Sequence, residues 1–192
     1  IIQVFYYLKL KKTPILDVIA IASGFILRAY AGAAATNLAV SPWFLLCTAM
    51  LALFLGIEKR KAELRLSQEK GTKTRSVLKH YSVSLLTRME STVSTGAVMS
   101  YAIWSAGPVV KGATTPWMML TLPFVLYGVF RYQLLSDPQE ITNDNQVKSN
   151  GSSITERPDE VLLTDKGILG TVVGWIFTSF IILYLQKQGF IN

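Results

Sequence analysis

Long apolar runs separated by polar segments dominate this sequence. Five runs reach, or nearly reach, the roughly 17 to 20 residues that cross the hydrocarbon core of a bilayer. The pattern predicts membrane spans over Pro14–Ala34, Pro42–Ile57, Ser91–Gly107, Pro116–Leu135 and Ile168–Leu185. We therefore expect an all-α, polytopic transmembrane helix bundle with five spans. These spans would form a single integral-membrane domain over residues 1–192.

The polar segments predict how the spans are oriented. Lys and Arg are concentrated before the first span, between the second and third, and between the fourth and fifth. The positive-inside rule places these segments in the cytoplasm. Residues 136–160, which are polar and rich in turn-forming residues, are predicted to be a flexible cytoplasmic linker within the domain.

Composition supports a membrane protein and excludes several other classes. The 192 residues are 51% hydrophobic and 16% charged, with a formal net charge of +7. Because the cations lie between apolar runs, they indicate a membrane surface and no nucleic acid partner. The single Cys47 excludes a disulfide framework. The sequence contains no GxSxG, P-loop or HExxH motif, so hydrolase and ATPase activities have no support.

Two charged residues lie in the first predicted span. Asp17 and Arg28 are eleven residues apart, which is about three helical turns, so they share a helix face. Charges within a membrane span usually face a cavity or a partner. They indicate either a polar, inward-facing site or an isolated polar contact together with an arginine that extends to the far surface.

A charged motif follows the second predicted span, with the sequence GIEKRKAELR over Gly56–Arg65. If the helix continues, Lys59 and Glu63 face the same way, and Arg60 lies beside them. The motif is either an ordinary positively charged collar or a phosphate-binding site in which carboxylates orient the cations or hold Mg²⁺. Three further lysines precede the first span on the same side: Lys9, Lys11 and Lys12.

Several motifs in this order resemble the UbiA-type intramembrane prenyltransferase superfamily, and within it the decaprenyl-phosphate phosphoribosyltransferase branch. They occupy Tyr6–Thr36, Gly56–Arg65, Thr74–Ser82, Phe130–Leu135 and Arg157–Leu169. The resemblance implies a nine-helix bundle of which this chain carries the last five helices. The family's first acidic motif, of the NDxxDxxxD kind, is not in this sequence, and Asn143-Asp144-Asn145 does not match it. We therefore expect an N-terminally truncated chain that is inactive alone.

The resemblance also implies an activity and its cofactor. The Lys59-Arg60-Lys61-Ala62-Glu63 segment is similar to the KRxAE pattern of the phosphoribosyl branch. That branch implies Mg²⁺-dependent transfer of 5-phosphoribose from phosphoribosyl diphosphate to a polyprenyl monophosphate, on the cytoplasmic side of a bacterial-type plasma membrane. The alternative is transfer from a prenyl diphosphate to an aromatic acceptor. A non-catalytic membrane scaffold or transporter fragment is a third hypothesis, and an oligomer is left open.

Site roles follow from the same resemblance. Lys59 and Arg60 would bind the donor phosphates, while Glu63 would orient them or the metal. Asp17 would be a polar anchor near the ribose or the metal, with Arg28 deeper in the cavity. The remaining candidates are Lys9 and Lys11 for the diphosphate, and Tyr81, Arg131 and Asp165 as further site residues.

Overall fold

The expected all-α bundle is confirmed. A computed structural model describes residues 13–36, 39–70, 78–136 and 164–190, and these contain helices and no strand. The five α-helices are α1 (Leu16–Ala35), α2 (Pro42–Lys70), α3 (Val83–Ser105), α4 (Leu122–Leu135) and α5 (Lys166–Lys187). Short 3₁₀ turns cover Leu78–His80, Pro108–Val110 and Pro116–Thr121. The last of these turns leads directly into α4, so the two together form the fourth span.

Within the described ranges, four stretches are long and apolar enough to cross a membrane, which indicates an integral membrane protein. They are Leu16–Ala35, Pro42–Gln68, Pro116–Leu135 and Lys166–Lys187. Helix α3 is long enough at 23 residues, but its first turns carry Arg88 and Glu90. The third span is therefore a less apolar helix that packs within the bundle.

The expected end of the second span at Ile57 was wrong. Helix α2 continues for 29 residues to Lys70, a length of about 43 Å against a hydrocarbon core of about 30 Å. The residues after Gly56 are mostly Glu, Lys, Arg, Ala and Leu, which favour helix in water as well as in lipid. A search for apolar runs detects only the part of this helix that lies in the membrane.

The third helix also begins earlier than expected, at Val83 and not at Ser91. Ser82 caps it by accepting a hydrogen bond from the Leu85 backbone N–H at 3.1 Å. Such a cap satisfies one of the free N–H groups of the first turn. The helix therefore has about two more turns than expected, over residues 83–90, before the predicted start of the span at Ser91.

Helix α2 is the centre of the bundle. Its most extensive contacts are with α3 and α1, while α5 packs mainly on α4. Two apolar clusters lie around the middle of α2. One surrounds Ile57 and Leu86, and the other surrounds Phe54 and Tyr132. Together they hold α2 to its neighbours at the level where the charged motif begins.

Helices α1 and α2 approach each other closely at Gly56. A Cβ atom added there would lie 3.0 Å from Cγ1 of Val18, which is only 1% exposed. Glycine thus permits the contact that brings the start of α1 against the motif of α2.

We expect Gly56→Leu to lower the free energy of unfolding by about 1–3 kcal/mol, because the added side chain overpacks a close helix contact. Gly32→Leu is the matched control, since a Cβ at Gly32 meets nothing within 4 Å. Thermal unfolding of the detergent-solubilised variants measures the difference. Equal stability of the two variants would contradict close packing at Gly56, and Val18→Ala should partly restore Gly56→Leu.

Candidate active site

Charged side chains from several helices meet at one end of the bundle. On α2, Glu58 and Glu63 lie about 24 and 32 Å along the helix from its start at Pro42. This level corresponds to the edge of a hydrocarbon core about 30 Å thick. As whole residues, Glu58, Arg60 and Lys61 are nevertheless 5% exposed or less. They need partners within the protein, because burial of an unpaired charge is costly.

The first group, which we call the arginine cluster, consists of Asp17, Arg60, Glu63 and Tyr81. Arg60 Nε donates to Asp17 Oδ2 at 2.8 Å, and Arg60 Nη1 donates to Glu63 Oε2 at 2.7 Å. The cluster thus joins the first turn of α1 to α2 through a buried ion pair.

Tyr81 connects the arginine cluster to the segment before α3. Its hydroxyl donates to Asp17 Oδ1 at 2.9 Å and accepts a hydrogen bond from the Ile15 backbone N–H. Burial, supported by the hydrogen bond to Asp17, raises the pKa of Tyr81 to about 12. The phenol therefore stays a neutral donor that fixes the orientation of the Asp17 carboxylate.

The second group, which we call the lysine cluster, joins α2 to α3. Lys61 Nζ donates to Glu58 Oε1 at 2.6 Å and also to Glu90 Oε2. All three side chains are nearly inaccessible. None of Glu58, Lys61 and Glu90 was predicted from the sequence to be a site residue.

A signal for Glu90 was present in the sequence. The buried face of α3 includes Leu86, Glu90, Ser94, Ala97 and Tyr101, a spacing of three or four residues that defines one helix face. A carboxylate on an otherwise apolar or small-residue face requires a buried cation, and Lys61 on the neighbouring helix provides it.

Arg131 and Asp165 form a third ion pair, between α4 and α5. Arg131 Nη2 lies 3.1 Å from Asp165 Oδ2. Asp165 also caps α5 by accepting from the Ile168 backbone N–H at 2.8 Å. Burial opposes ionisation of Asp165, but the hydrogen bonds from Arg131 and Ile168 outweigh it and lower the pKa of the carboxyl group. Arg131 and Asp165 were predicted from the sequence as separate site candidates, and the structure joins them in one ion pair.

Lys59 and Glu63 were expected to face the same way, but among the described residues no ion pair joins them. Glu63 pairs with Arg60, and Lys59 is exposed. The contacts of α2 with α1 and α3 turn Arg60 and Lys61 inward, so the residue before them points out of the bundle. Lys59 therefore lies beside the arginine cluster, on its accessible side.

In the part of the chain that the structure describes, Arg28 makes no hydrogen bond or ion pair with Asp17. It is exposed, its Nε donates to the Gly24 carbonyl at 3.3 Å, and its guanidinium lies 4.8 Å from the ring centroid of Phe25. The buried residues of α1, Asp17, Val18 and Ala22, all lie in its first half. Lys9, Lys11 and Lys12 lie outside the described residues, as does nearly all of the expected linker over 136–160.

The described residues do not by themselves form a magnesium site. Among them, no group of three or more His, Cys, Asp or Glu side chains could hold a metal ion. Each carboxylate oxygen of Asp17 accepts one hydrogen bond, Oδ1 from Tyr81 and Oδ2 from Arg60. The Glu63 side chain, at 15% exposure, is more accessible than that of Asp17, at 1%.

Among the described residues, four carboxylates lie around the cations Arg60 and Lys61. They belong to Asp17, Glu58, Glu63 and Glu90. Lys59 is the nearest exposed cation in the motif.

The fold and the charged clusters define a helical membrane protein with a polar site at one end of the bundle. Comparison with known proteins finds relatives named decaprenyl-phosphate phosphoribosyltransferase. The chain is 32% identical over 189 residues to the decaprenyl-phosphate phosphoribosyltransferase of Corynebacterium glutamicum, covering 97% of this chain and 52% of the relative. It is 29% identical to the enzyme of that name from Mycolicibacterium smegmatis, covering 96% of this chain and 56% of the relative.

A third relative with the same name, from Mycobacterium tuberculosis, is 27% identical over 92% of this chain and 53% of its own length. These similarities confirm the resemblance to the phosphoribosyl branch. The chain spans about half the length of the curated relatives it matches. No family model matches the sequence.

We expect Lys61→Met to lower the free energy of unfolding by about 3–5 kcal/mol, because it leaves two buried carboxylates without their cation. The neighbouring Lys59→Met is the matched control. Lys59 is exposed, so its replacement should change stability by no more than about 0.5 kcal/mol. Unfolding in mixed micelles measures both variants, and equal losses would show that the lysine cluster is not buried.

Proposed function

We propose that this chain forms part of a membrane transferase that moves 5-phosphoribose from phosphoribosyl diphosphate to a polyprenyl monophosphate. The observation that carries the proposal is the arginine cluster, which holds a guanidinium at the edge of the membrane-spanning region with Lys59 exposed beside it. The relatives named decaprenyl-phosphate phosphoribosyltransferase support the assignment.

The proposed reaction requires charge stabilisation more than proton transfer. A phosphate oxygen of the lipid forms a bond to C1 of the ribose as the bond from C1 to the diphosphate oxygen breaks, so negative charge accumulates on the leaving diphosphate. Arg60 has five N–H donors, and its described partners engage Nε and Nη1. In the part of the chain that the structure describes, its Nη2 group has no ion-pair partner, and it would be directed to a substrate phosphate.

The carboxylates hold Arg60 in position before the substrate arrives. Asp17 and Glu63 fix the plane of the guanidinium from two sides, which lowers the reorganisation that binding requires. Tyr81 in turn fixes Asp17. In this proposal Lys59 contributes a second, mobile cation for the donor, and Arg131 is a further cation on the same end of the bundle.

Magnesium dependence belongs to the proposal for the complete protein. Mg²⁺ usually binds through one or two carboxylates together with substrate phosphates. Glu63 is the described carboxylate that suits this role.

We expect Lys59→Ala in the full-length protein to lower kcat/KM for phosphoribosyl diphosphate roughly 10- to 150-fold. This range corresponds to the loss of a charge-assisted contact of about 1.5–3 kcal/mol. Lys79→Ala is the control, because Lys79 is an exposed lysine at the same end of the bundle. Transfer of radiolabel to polyprenyl phosphate is the assay.

Equal activity of the Lys59→Ala and Lys79→Ala proteins would indicate that Lys59 does not bind the donor and that the motif is only a positively charged collar at the membrane surface. Transfer of a prenyl group from prenyl diphosphate to an aromatic acceptor, without phosphoribosyl transfer, would establish the alternative activity. Absence of both activities in the full-length protein would favour the scaffold hypothesis.

The charged end of the bundle is proposed to face the cytoplasm. The support is the distribution of Lys and Arg among the polar segments. Lys79 lies at this end, and Lys111 follows the 3₁₀ turn Pro108–Val110 at the other. Both side chains are exposed.

We expect a cysteine at position 79 to react only with reagents on the cytoplasmic side, and a cysteine at position 111 only with reagents on the outer side. The variants Lys79→Cys and Lys111→Cys would be made with Cys47→Ala, since Cys47 is the chain's only cysteine. Labelling of intact cells with an impermeant maleimide distinguishes the sides. Equal labelling of both positions would contradict the proposed topology.

A further inference from the structure

The lysine cluster is a buried link between α2 and α3 to which the proposed reaction assigns no role. Lys61 Nζ donates to Glu58 on its own helix and to Glu90 on α3. The side chains of the three residues are 1–7% exposed. A substrate phosphate would have to compete with two carboxylates for the Lys61 ammonium. A part for this cluster in the reaction is therefore indirect.

The cluster begins one position along α2 from Arg60. Successive residues of an α-helix point in directions about 100° apart around the axis. Arg60 is held by Asp17 on α1, and Lys61 is held by Glu90 on α3. Once two successive side chains are held by different neighbours, the direction of the residue before them is set as well. The exposure of Lys59 to the donor thus depends on α3 as much as on α1.

Apolar packing at this level gives less control over the rotation of α2. Ile57 and Leu86 belong to one apolar cluster, but hydrophobic burial is non-directional, so a small rotation exchanges one apolar contact for another. A rotation of about 20° moves an atom that lies about 5–6 Å from the helix axis by about 2 Å. This displacement breaks a hydrogen-bonded ion pair. A misplacement of about 1 Å at a reacting site can lower the rate about 100-fold.

The helix that carries Glu90 also makes a polar contact with α4. Ser94 lies one turn after Glu90 on the same face of α3, and Gln133 Nε2 donates to Ser94 Oγ at 3.4 Å. Gln133 follows two residues after Arg131, the further cation proposed for this end of the bundle. The α3 face with Glu90 therefore lies between the two helices that present cations.

We propose that Glu90 is a positioning residue for the phosphoribosyl donor, because through Lys61 it sets the rotation of α2 at which Lys59 and Arg60 face the donor phosphates. The inference rests on the function proposed above and adds to it a residue of α3 that touches no substrate. Glu58 assists by holding the Lys61 ammonium towards α3. Most of the polyprenyl phosphate is hydrocarbon, so its binding depends less on this rotation.

Two variants separate positioning from stability. In the apolar variant, Glu58→Leu, Lys61→Met and Glu90→Leu are combined, because replacing a whole buried ionic group by apolar residues of similar size is often neutral or stabilising. This variant keeps the packing and loses the directional pair. In the exchange variant, Lys61→Glu and Glu90→Lys keep one ammonium between two carboxylates and restore an ion pair from α2 to α3. Arg88→Met, at an exposed cation of α3, is the matched control.

The first measurement is the transfer kinetics of the full-length proteins in lipid nanodiscs. We expect the apolar variant to raise the KM for phosphoribosyl diphosphate at least about tenfold, with an unchanged or higher Tm and with the KM for polyprenyl phosphate within about threefold of wild type. The exchange variant and Arg88→Met should keep the donor KM within about threefold of wild type. Loss of folded protein alone would lower the apparent kcat and leave KM unchanged.

An unchanged donor KM in the apolar variant would overturn the inference. An exchange variant with a donor KM as high as that of the apolar variant would overturn it too, because restoring the ion pair should restore the rotation of α2.

The second measurement follows the orientation of α2 without the reaction. Lys59→Cys, made together with Cys47→Ala, would be treated with a membrane-impermeant maleimide in each background. Since Lys59 is held on the exposed side, we expect the labelling rate to fall at least about threefold in the apolar background and to recover in the exchange background. Equal rates would refute the positioning role. Absence of phosphoribosyl transfer in the wild-type protein would instead refute the proposed function, so the two failures are distinguishable.

Discussion

Charged side chains that are removed from water must be neutralised within the fold, and this constraint organises one end of the helix bundle. Arg60 and Lys61 are adjacent on α2, but they turn to different neighbours. Arg60 pairs with Asp17 on α1, and Lys61 pairs with Glu90 on α3. Since either cation without its partner would be costly in a medium of low dielectric constant, the two pairs fix the rotation of α2 and the positions of the helices on both sides.

This arrangement gives the short charged motif two functions at once. Its inward-facing cations hold three helices together, whereas the outward-facing Lys59 leaves a positive charge accessible at the same level. The close contact at Gly56 allows α1 to reach the motif, and Tyr81 holds Asp17 from the segment between α2 and α3. The site is thereby preorganised by elements that are far apart in sequence.

The sequence predicted the five helices and most of the residues that gather at the site, but not their pairing. Apolar runs reveal where a chain can lie in lipid, so they missed the polar continuation of α2 beyond Ile57 and the capped start of α3 at Val83. The choice between Lys59 and Arg60 as the partner of Glu63 depends on the rotation of α2, which is set by packing against two other helices. Glu90 was missed because its partner is 29 positions away along the chain.

The buried pair of Asp17 and Arg60 also constrains how such sequences can diverge. Loss of Arg60 alone leaves the buried Asp17 without its cation, and loss of Asp17 alone leaves Arg60 with only Glu63 as an ion-pair partner among the described residues, so changes at the two positions are best tolerated together. Positions 17 and 60 are therefore expected to covary among related sequences, although they lie on different helices. Lys59, which has no such partner in the described structure, is free of this constraint and can vary with the chemistry of the ligand.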